Sequence, residues 1–112
     1  MPAKFPKNTV KNLQKYVALK LKERHFDDES LHERLLLLVE EVGELVNACR
    51  HISGMNVDAK RQVGKKVGEE LTDVINMIFA IGIVLGIDIE KEFLVKEKIV
   101  DARFYERSKK VI

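Results

Sequence analysis

The sequence is poor in residues that cross-link, stiffen or break a chain: it has one cysteine, two prolines, six glycines and no tryptophan. A single cysteine excludes an internal disulfide bond and favours a reducing compartment, so we expect a cytoplasmic protein. The net charge is only +2, with 20 basic and 18 acidic residues interspersed. This balance argues against nucleic-acid binding, which requires a basic excess on one face.

Long hydrophobic runs are also lacking. The longest apolar stretch, Val74 to Ile87, is interrupted by Asn76, Gly82 and Gly86, and it is too short to span a bilayer. The basic segment Met1 to Lys7 is not followed by the apolar region that a signal peptide needs. We therefore expect no membrane partner.

What the sequence does contain is typical of one folded helical domain. It is 46% hydrophobic and 34% charged, and its length suits a single domain over residues 1–112. Apolar residues recur at helical spacing, and no segment alternates as a strand does. The pattern predicts four helices in an all-α, four-helix bundle: Thr9–Glu23, Leu31–His51, Ala59–Leu85 and Ile89–Lys109.

Capping residues define most of the predicted helix ends. Gly86 stands where a left-handed residue commonly terminates a helix, and glycines near the start of the third helix make that boundary the weakest. The predicted N-terminal caps are Asn8 or Thr9, Ser30 with Glu33 in a capping box, Asp58, and Asp88.

The second helix carries acidic residues on a face that should be apolar. A helix advances about 100° per residue, which places Glu41 between Leu37 and Leu45 on the wheel. Glu44 lies at the margin of that stripe, and Glu40 points further out. The run from Leu35 to Val39 is apolar nearly all round, so we expect this helix to be central or at an oligomer interface.

The third helix repeats the anomaly. By the same geometry Asp73 falls between Ala80 and Val84, and Glu70 has Met77 and Ile81 as wheel neighbours. Buried carboxylates are costly unless they are paired or bind a metal ion. Two helices each place a pair of carboxylates, three residues apart, toward the predicted core.

Two kinds of partner could compensate these carboxylates: basic residues inside the bundle, or divalent cations. The apolar stripes contain almost no Lys or Arg, which weakens the first alternative. Side chains at i and i+3 have Cβ atoms about 5–6 Å apart, close enough to share an ion or a pair of ions. An all-oxygen ligand set favours Mg²⁺ or Mn²⁺ over Zn²⁺. The predicted ligands are Glu41, Glu44, Glu70 and Asp73.

These motifs resemble a known family. The segments VEEVGEL (39–45) and ELTDV (70–74) are similar to the Glu-x-x-Glu … Glu-x-x-Asp signature of MazG-like, all-α nucleoside triphosphate pyrophosphohydrolases. Arg50 stands where a basic residue commonly follows the first motif, and LGIDI (85–89) is similar to the loop before the last helix. The resemblance extends over about residues 31–103.

The resemblance implies a Mg²⁺-dependent cleavage of a nucleoside triphosphate between its α- and β-phosphates, releasing a nucleoside monophosphate and pyrophosphate. It makes the four carboxylates the metal ligands, with Glu41 and the neighbouring Glu40 as catalytic candidates. Lys96 and Arg103 match positions where the family places cations on its last helix, although the Asn often found between them is missing. Asn76 is a further candidate for binding the nucleotide.

Aromatic residues and assembly are less well specified. Related enzymes stack the base on aromatic residues of the first helices, and this chain offers Tyr16, His25 and Phe26, of which we expect Phe26 to pack in the core. The family assembles as dimers or dimers of dimers, so we expect a homodimer or homotetramer.

Two other interpretations remain. Phosphoribosyl-ATP pyrophosphohydrolase of histidine synthesis resembles the same helices and breaks the same type of bond. A non-catalytic helical oligomerisation module would explain the apolar run of the second helix but not its embedded carboxylates. The Gly-Ile-Asp loop and the long last helix favour the nucleotide-pool enzymes.

Overall fold

Four helices account for the regular structure of the residues that the structure describes. The computed structural model describes residues 9–52 and 66–111, without the side chains of His51 and residues 104–111. Within these ranges there is no strand, so the predicted all-α class is confirmed. The helices are α1 (Val10–Glu23), α2 (Leu31–Ile52), α3 (Val67–Leu85) and α4 (Ile89–Val111).

Most of the predicted helix ends are confirmed by hydrogen bonds at the caps. The Thr9 hydroxyl accepts from the Asn12 amide at 3.1 Å. The Ser30 hydroxyl accepts from the Glu33 amide and donates to the Glu33 carboxylate, which is the capping box predicted for α2. Asp88 caps α4 by accepting from the amide of Lys91 at 3.2 Å.

The predicted start of α3 is wrong. Lys66 has an extended backbone, with φ −78° and ψ 121°, and α3 begins only at Val67. The expected helical residues 59–65 and the expected cap Asp58 lie outside the described residues. Gly64 and Gly68 disfavour helix at this end of the segment.

The turn from α3 to α4 depends on a glycine. Gly86 has φ 67° and ψ 32°, the left-handed conformation, and its amide donates to the carbonyls of Gly82 and Ile83. The two helices meet at 101° across this turn. In the described residues no helix alone is long and apolar enough to cross a membrane; only this bent pair passes by length and composition.

We expect Gly86→Ala to lower the free energy of unfolding by about 1–2 kcal/mol, because a Cβ disfavours the left-handed conformation by that amount. Gly86→Asn should cost less, since Asn adopts this conformation more readily than Ala. Urea denaturation followed by circular dichroism measures both. Equal stability of Gly86→Ala and the wild type would contradict the assigned role.

A buried glutamine attaches this turn to α1. The Gln14 side-chain amide donates to the Ile87 carbonyl at 2.8 Å, and its oxygen accepts from the Ile89 amide at 3.1 Å. Gln14 also lies against Gly82 of α3, where a Cβ would approach its Nε2 to 2.7 Å. The turn between α3 and α4 is thereby held against the first half of α1.

The core of the single chain is small. Helix α3 packs against both α1 and α2, whereas α4 packs on α1 through its first turn. The buried apolar side chains in the described ranges are Ala48, Phe79 and Ala80. Residues 91–103 of α4 are all exposed, so the expected bundle is covered around α3 but open along α4.

Candidate metal and substrate site

Three carboxylates from two helices converge on one point. Glu41 of α2 and Glu70 and Asp73 of α3 each offer an oxygen, and these oxygens all lie within 4.8 Å of one another. Glu41 and Glu70 are partly buried and Asp73 is exposed. The structure therefore brings together three of the four residues predicted as metal ligands.

Helix periodicity and small side chains explain this convergence. Glu70 and Asp73 share a face of α3 because they are three residues apart. Ala48 follows Glu41 by two turns on α2, and Ala80 follows Asp73 by two turns on α3. Both alanines are essentially inaccessible to solvent, which lets the backbones of the packed helices approach closely.

The other two predicted acidic residues do not belong to this group. Glu44 is partly buried one turn beyond Glu41, and it is not among the carboxylates that approach within 4.8 Å. Glu40 is exposed and also lies outside the group. Metal binding by Glu44 and a catalytic role for Glu40 remain predictions.

The expected burial of Asp73 is wrong. The wheel placed this residue among apolar neighbours, but its side chain is exposed because it faces a cleft rather than another helix. The apolar stripes, expected to contain almost no Lys or Arg, do hold a buried cation. Arg34 of α2 is only 2% exposed, on the same face as Glu41 and two turns before it.

The donor set fits a hard divalent cation. Three carboxylates within 4.8 Å repel one another when all are ionised, and a bound cation removes that repulsion. All the offered atoms are oxygens, which suits Mg²⁺ or Mn²⁺. The exposed side of Asp73 leaves room for water or a substrate oxygen, as Mg²⁺ sites usually require.

A cleft of about 300 Å³ opens beside the carboxylates. Its walls combine charged, amide, apolar and aromatic side chains from α1, the following turn, α2 and α3. The predicted substrate-binding residue Asn76 is part of it. The lining residues are Tyr16, Val17, Lys20, Leu21, Arg24, Phe26, Glu41, Asp73, Asn76 and Met77.

The cations predicted on the last helix lie elsewhere. Lys96 and Arg103 are both exposed on α4, and neither belongs to the residues that line the cleft. The cations that do line it are Lys20 of α1 and Arg24, the C-terminal cap of that helix. Substrate binding by Lys96 and Arg103 therefore remains a prediction, and neither residue is among the described residues that line this cleft.

The expectation that Phe26 packs in the core is wrong: its side chain is 49% exposed and lines the cleft. The Phe26 amide donates to the Leu21 carbonyl at 2.8 Å, after a left-handed residue at His25. The Phe26 carbonyl in turn accepts from Arg34 Nη2 at 3.0 Å. These backbone contacts turn the ring toward the cleft. Tyr16 lines the same cleft, while His25 does not.

Two polar residues in the interior were missed by the sequence interpretation. Gln14 and Arg34 are the buried polar residues of the described ranges, and each lies in the inward stripe of its helix. Gln14 is one turn from both Val10 and Val17, so the wheel that identified Glu41 would have identified it too. Each of them supports a segment of backbone next to a pocket.

Comparison with known proteins assigns no family. No protein-family model, no curated protein and no solved structure matches the chain. The functional argument therefore depends on the geometry of the chain's own residues and on the motif resemblance.

Proposed function

We propose that this protein is a Mg²⁺-dependent nucleoside triphosphate pyrophosphohydrolase. Water would cleave the bond between the α- and β-phosphates, giving a nucleoside monophosphate and pyrophosphate. The observation that carries the proposal is the convergence of Glu41, Glu70 and Asp73 beside a cleft. The segments 39–45 and 70–74, whose motifs resemble those of MazG-like enzymes, supply these residues.

The roles of the chain's residues follow from where they lie. Glu41, Glu70 and Asp73 would hold the metal, with Glu44 as the fourth predicted ligand. When bound, Mg²⁺ would neutralise charge on the phosphoryl oxygens and lower the pKa of a coordinated water. Glu40, exposed and adjacent to Glu41, is the candidate to accept the proton of the attacking water.

The cleft has the mixed character that a nucleotide requires. Asn76 offers an amide that can both donate and accept hydrogen bonds, which suits a base or sugar. Val17, Leu21 and Met77 provide apolar surface, and Tyr16 and Phe26 provide aromatic faces. Oligomerisation alone does not explain why charged residues lie beside a cavity.

The test is incubation with Mg²⁺ and a panel of standard and non-standard nucleoside triphosphates, together with phosphoribosyl-ATP. We expect equimolar pyrophosphate and nucleoside monophosphate from at least one triphosphate, and no release after chelation of Mg²⁺. Cleavage of phosphoribosyl-ATP alone would favour the histidine-synthesis alternative. No cleavage of any compound would overturn the enzyme proposal and leave the oligomerisation module.

We further propose that the chain assembles with copies of itself as a dimer or dimer of dimers. Leu36 and Val39 of α2 are 71% and 70% exposed. The Cα radius of gyration is 18.0 Å, whereas a compact domain of this length has about 13 Å. Such an open chain with an apolar helix face is typical of a subunit whose core is completed by a partner.

Replacing both Leu36 and Val39 by Glu should convert the assembly to monomers, because two charges would be buried at the interface. Size-exclusion chromatography with light scattering measures the mass. The matched control is Asp27→Asn with Asp28→Asn in the exposed turn before α2, which should leave the mass unchanged. A wild type that is monomeric at all concentrations would contradict the proposed assembly.

A further inference from the structure

The cleft has a cationic wall in addition to its acidic residues. Tyr16 and Lys20 are four residues apart and share one face of α1, and Arg24, four residues further on, is the C-terminal cap of that helix. All three line the cleft that also contains Glu41 and Asp73. Two positive side chains thus line the same cavity as two of the carboxylates.

Lys20 is held in place on that wall. Its Nζ lies 2.9 Å from Glu23 Oε2 and 5.6 Å from the centre of the Tyr16 ring. Only 18% of its side chain is exposed. The Tyr16 ring and the burial of the side chain would still restrain Lys20 if a ligand took the place of Glu23, so part of the entropy cost of fixing this lysine is already met.

Stabilisation of the helix end is a weaker explanation for these cations. Basic residues favour the C-terminal turn of a helix because its carbonyl groups carry partial negative charge. Lys22 occupies the same turn on the exposed side and can supply that effect. The position of Lys20 and Arg24 in the cleft that Asp73 also lines needs a separate reason.

A polyphosphate chain provides that reason. A nucleoside triphosphate carries several negative charges, and a metal site of three carboxylates does not neutralise the phosphates that lie away from it. We propose that Lys20 and Arg24 bind those phosphate oxygens, with the phosphate displacing Glu23 from Lys20. This assignment rests on the proposed function for the identity of the substrate, and it places the cations of the site on α1.

Binding of inorganic tripolyphosphate and of an α,β-methylene nucleoside triphosphate, measured by calorimetry with Mg²⁺ present, tests the assignment. We expect Lys20→Met and Arg24→Gln each to weaken binding about tenfold or more, as loss of a hydrogen bond to a charged group does. Lys22→Met, on the same turn but outside the cleft, should stay within about twofold, the size of effect expected for a screened surface charge. Glu23→Gln should strengthen binding, because it removes the competing carboxylate.

Further measurements distinguish a loss of affinity caused by the missing charge from one caused by a change in the fold. Lys20→Arg should restore most of the affinity, and the salt dependence of binding should be shallower in Lys20→Met than in the wild type. Lys20→Met and Arg24→Gln variants that bind as tightly as Lys22→Met would overturn the assignment. Unchanged affinity of Glu23→Gln would overturn the exchange of Glu23 for phosphate.

Parallel cleavage assays separate this assignment from the proposed function. A wild type that binds tripolyphosphate through Lys20 and Arg24 but cleaves no nucleotide would leave the assignment standing and overturn the hydrolase proposal. If the wild type cleaves nucleotides, but Lys20→Met and Arg24→Gln bind the probes as tightly as the wild type does, the hydrolase proposal would stand and the assignment would be overturned. No binding of either probe by the wild type would overturn the assignment outright.

Discussion

Glu41→Gln and Asp73→Asn should each lower the rate of nucleotide cleavage by at least about 100-fold. The oxygens of these residues lie within 4.8 Å of each other and of Glu70. Loss of one anionic ligand weakens the binding of the metal ion, which supplies several kcal/mol of charge stabilisation in the transition state. Each 1.36 kcal/mol of lost stabilisation lowers the rate about tenfold. Steady-state release of pyrophosphate at saturating Mg²⁺ is the measurement.

Glu69→Gln is the matched control, since Glu69 is exposed on α3 directly before Glu70 and lies outside the carboxylate group. It should keep nearly full activity. A fully active Glu41→Gln or Asp73→Asn variant would show that the carboxylate group is not the reaction centre.

Thermal stability provides a readout that does not depend on turnover. Mg²⁺ should raise the melting temperature of the wild type, because a ligand at 100 times its dissociation constant stabilises the folded state by about 2.7 kcal/mol. The increase should be much smaller in Glu41→Gln.

Gly82→Val should lower the free energy of unfolding by about 3 kcal/mol. A Cβ on Gly82 would lie 2.7 Å from Gln14 Nε2 and 2.9 Å from Ile89 Cδ1. Gln14 cannot move away without losing its bonds to the Ile87 carbonyl and the Ile89 amide, each worth about 1 kcal/mol. Overpacking adds about 1–3 kcal/mol, and urea denaturation measures the total.

A double-mutant cycle with Gln14→Ala identifies the cause. Removal of the Gln14 side chain makes room for the valine, so the double variant should be less destabilised than the sum of the two single variants. Gly68→Ala is the control, because a Cβ there meets no atom within 4 Å, and it should not lower the free energy of unfolding, since Ala favours a helix over Gly by up to about 1 kcal/mol. Strictly additive effects of Gly82→Val and Gln14→Ala would argue against the clash.

The helix ends show which local features a sequence can predict. The hydroxyl of Ser30 and the carboxylate of Asp88 cap helices whose first turns begin one residue later, and Gly86 adopts the left-handed conformation expected of it. Such interactions involve residues three or four apart, so spacing alone specifies them. The start of α3 carried no such cap, and the extended Lys66 was not foreseen.

The wheel identified which residues face inward but not what they would face. It selected Glu41, Glu70 and Asp73, and these three carboxylates do converge. It also placed Asp73 in the interior, where the structure has an open cleft. Angular position is a property of one helix, whereas burial depends on which neighbour covers the face.

The sequence by itself determined the four helices, most of their caps and the acidic face shared by α2 and α3, because each depends on residues close together in the chain. Only the tertiary structure decided that Glu44 lies outside the carboxylate group, that Phe26 lines the cleft, and that Lys20 and Arg24 line the same cleft as Asp73. These relations involve three helices, α1, α2 and α3. Packing brings the helices together, and the hydrogen bond from Arg34 to the Phe26 carbonyl holds the turn between α1 and α2. Distances between helices arise from side-chain volumes at their contacts, and no spacing within a single helix encodes them.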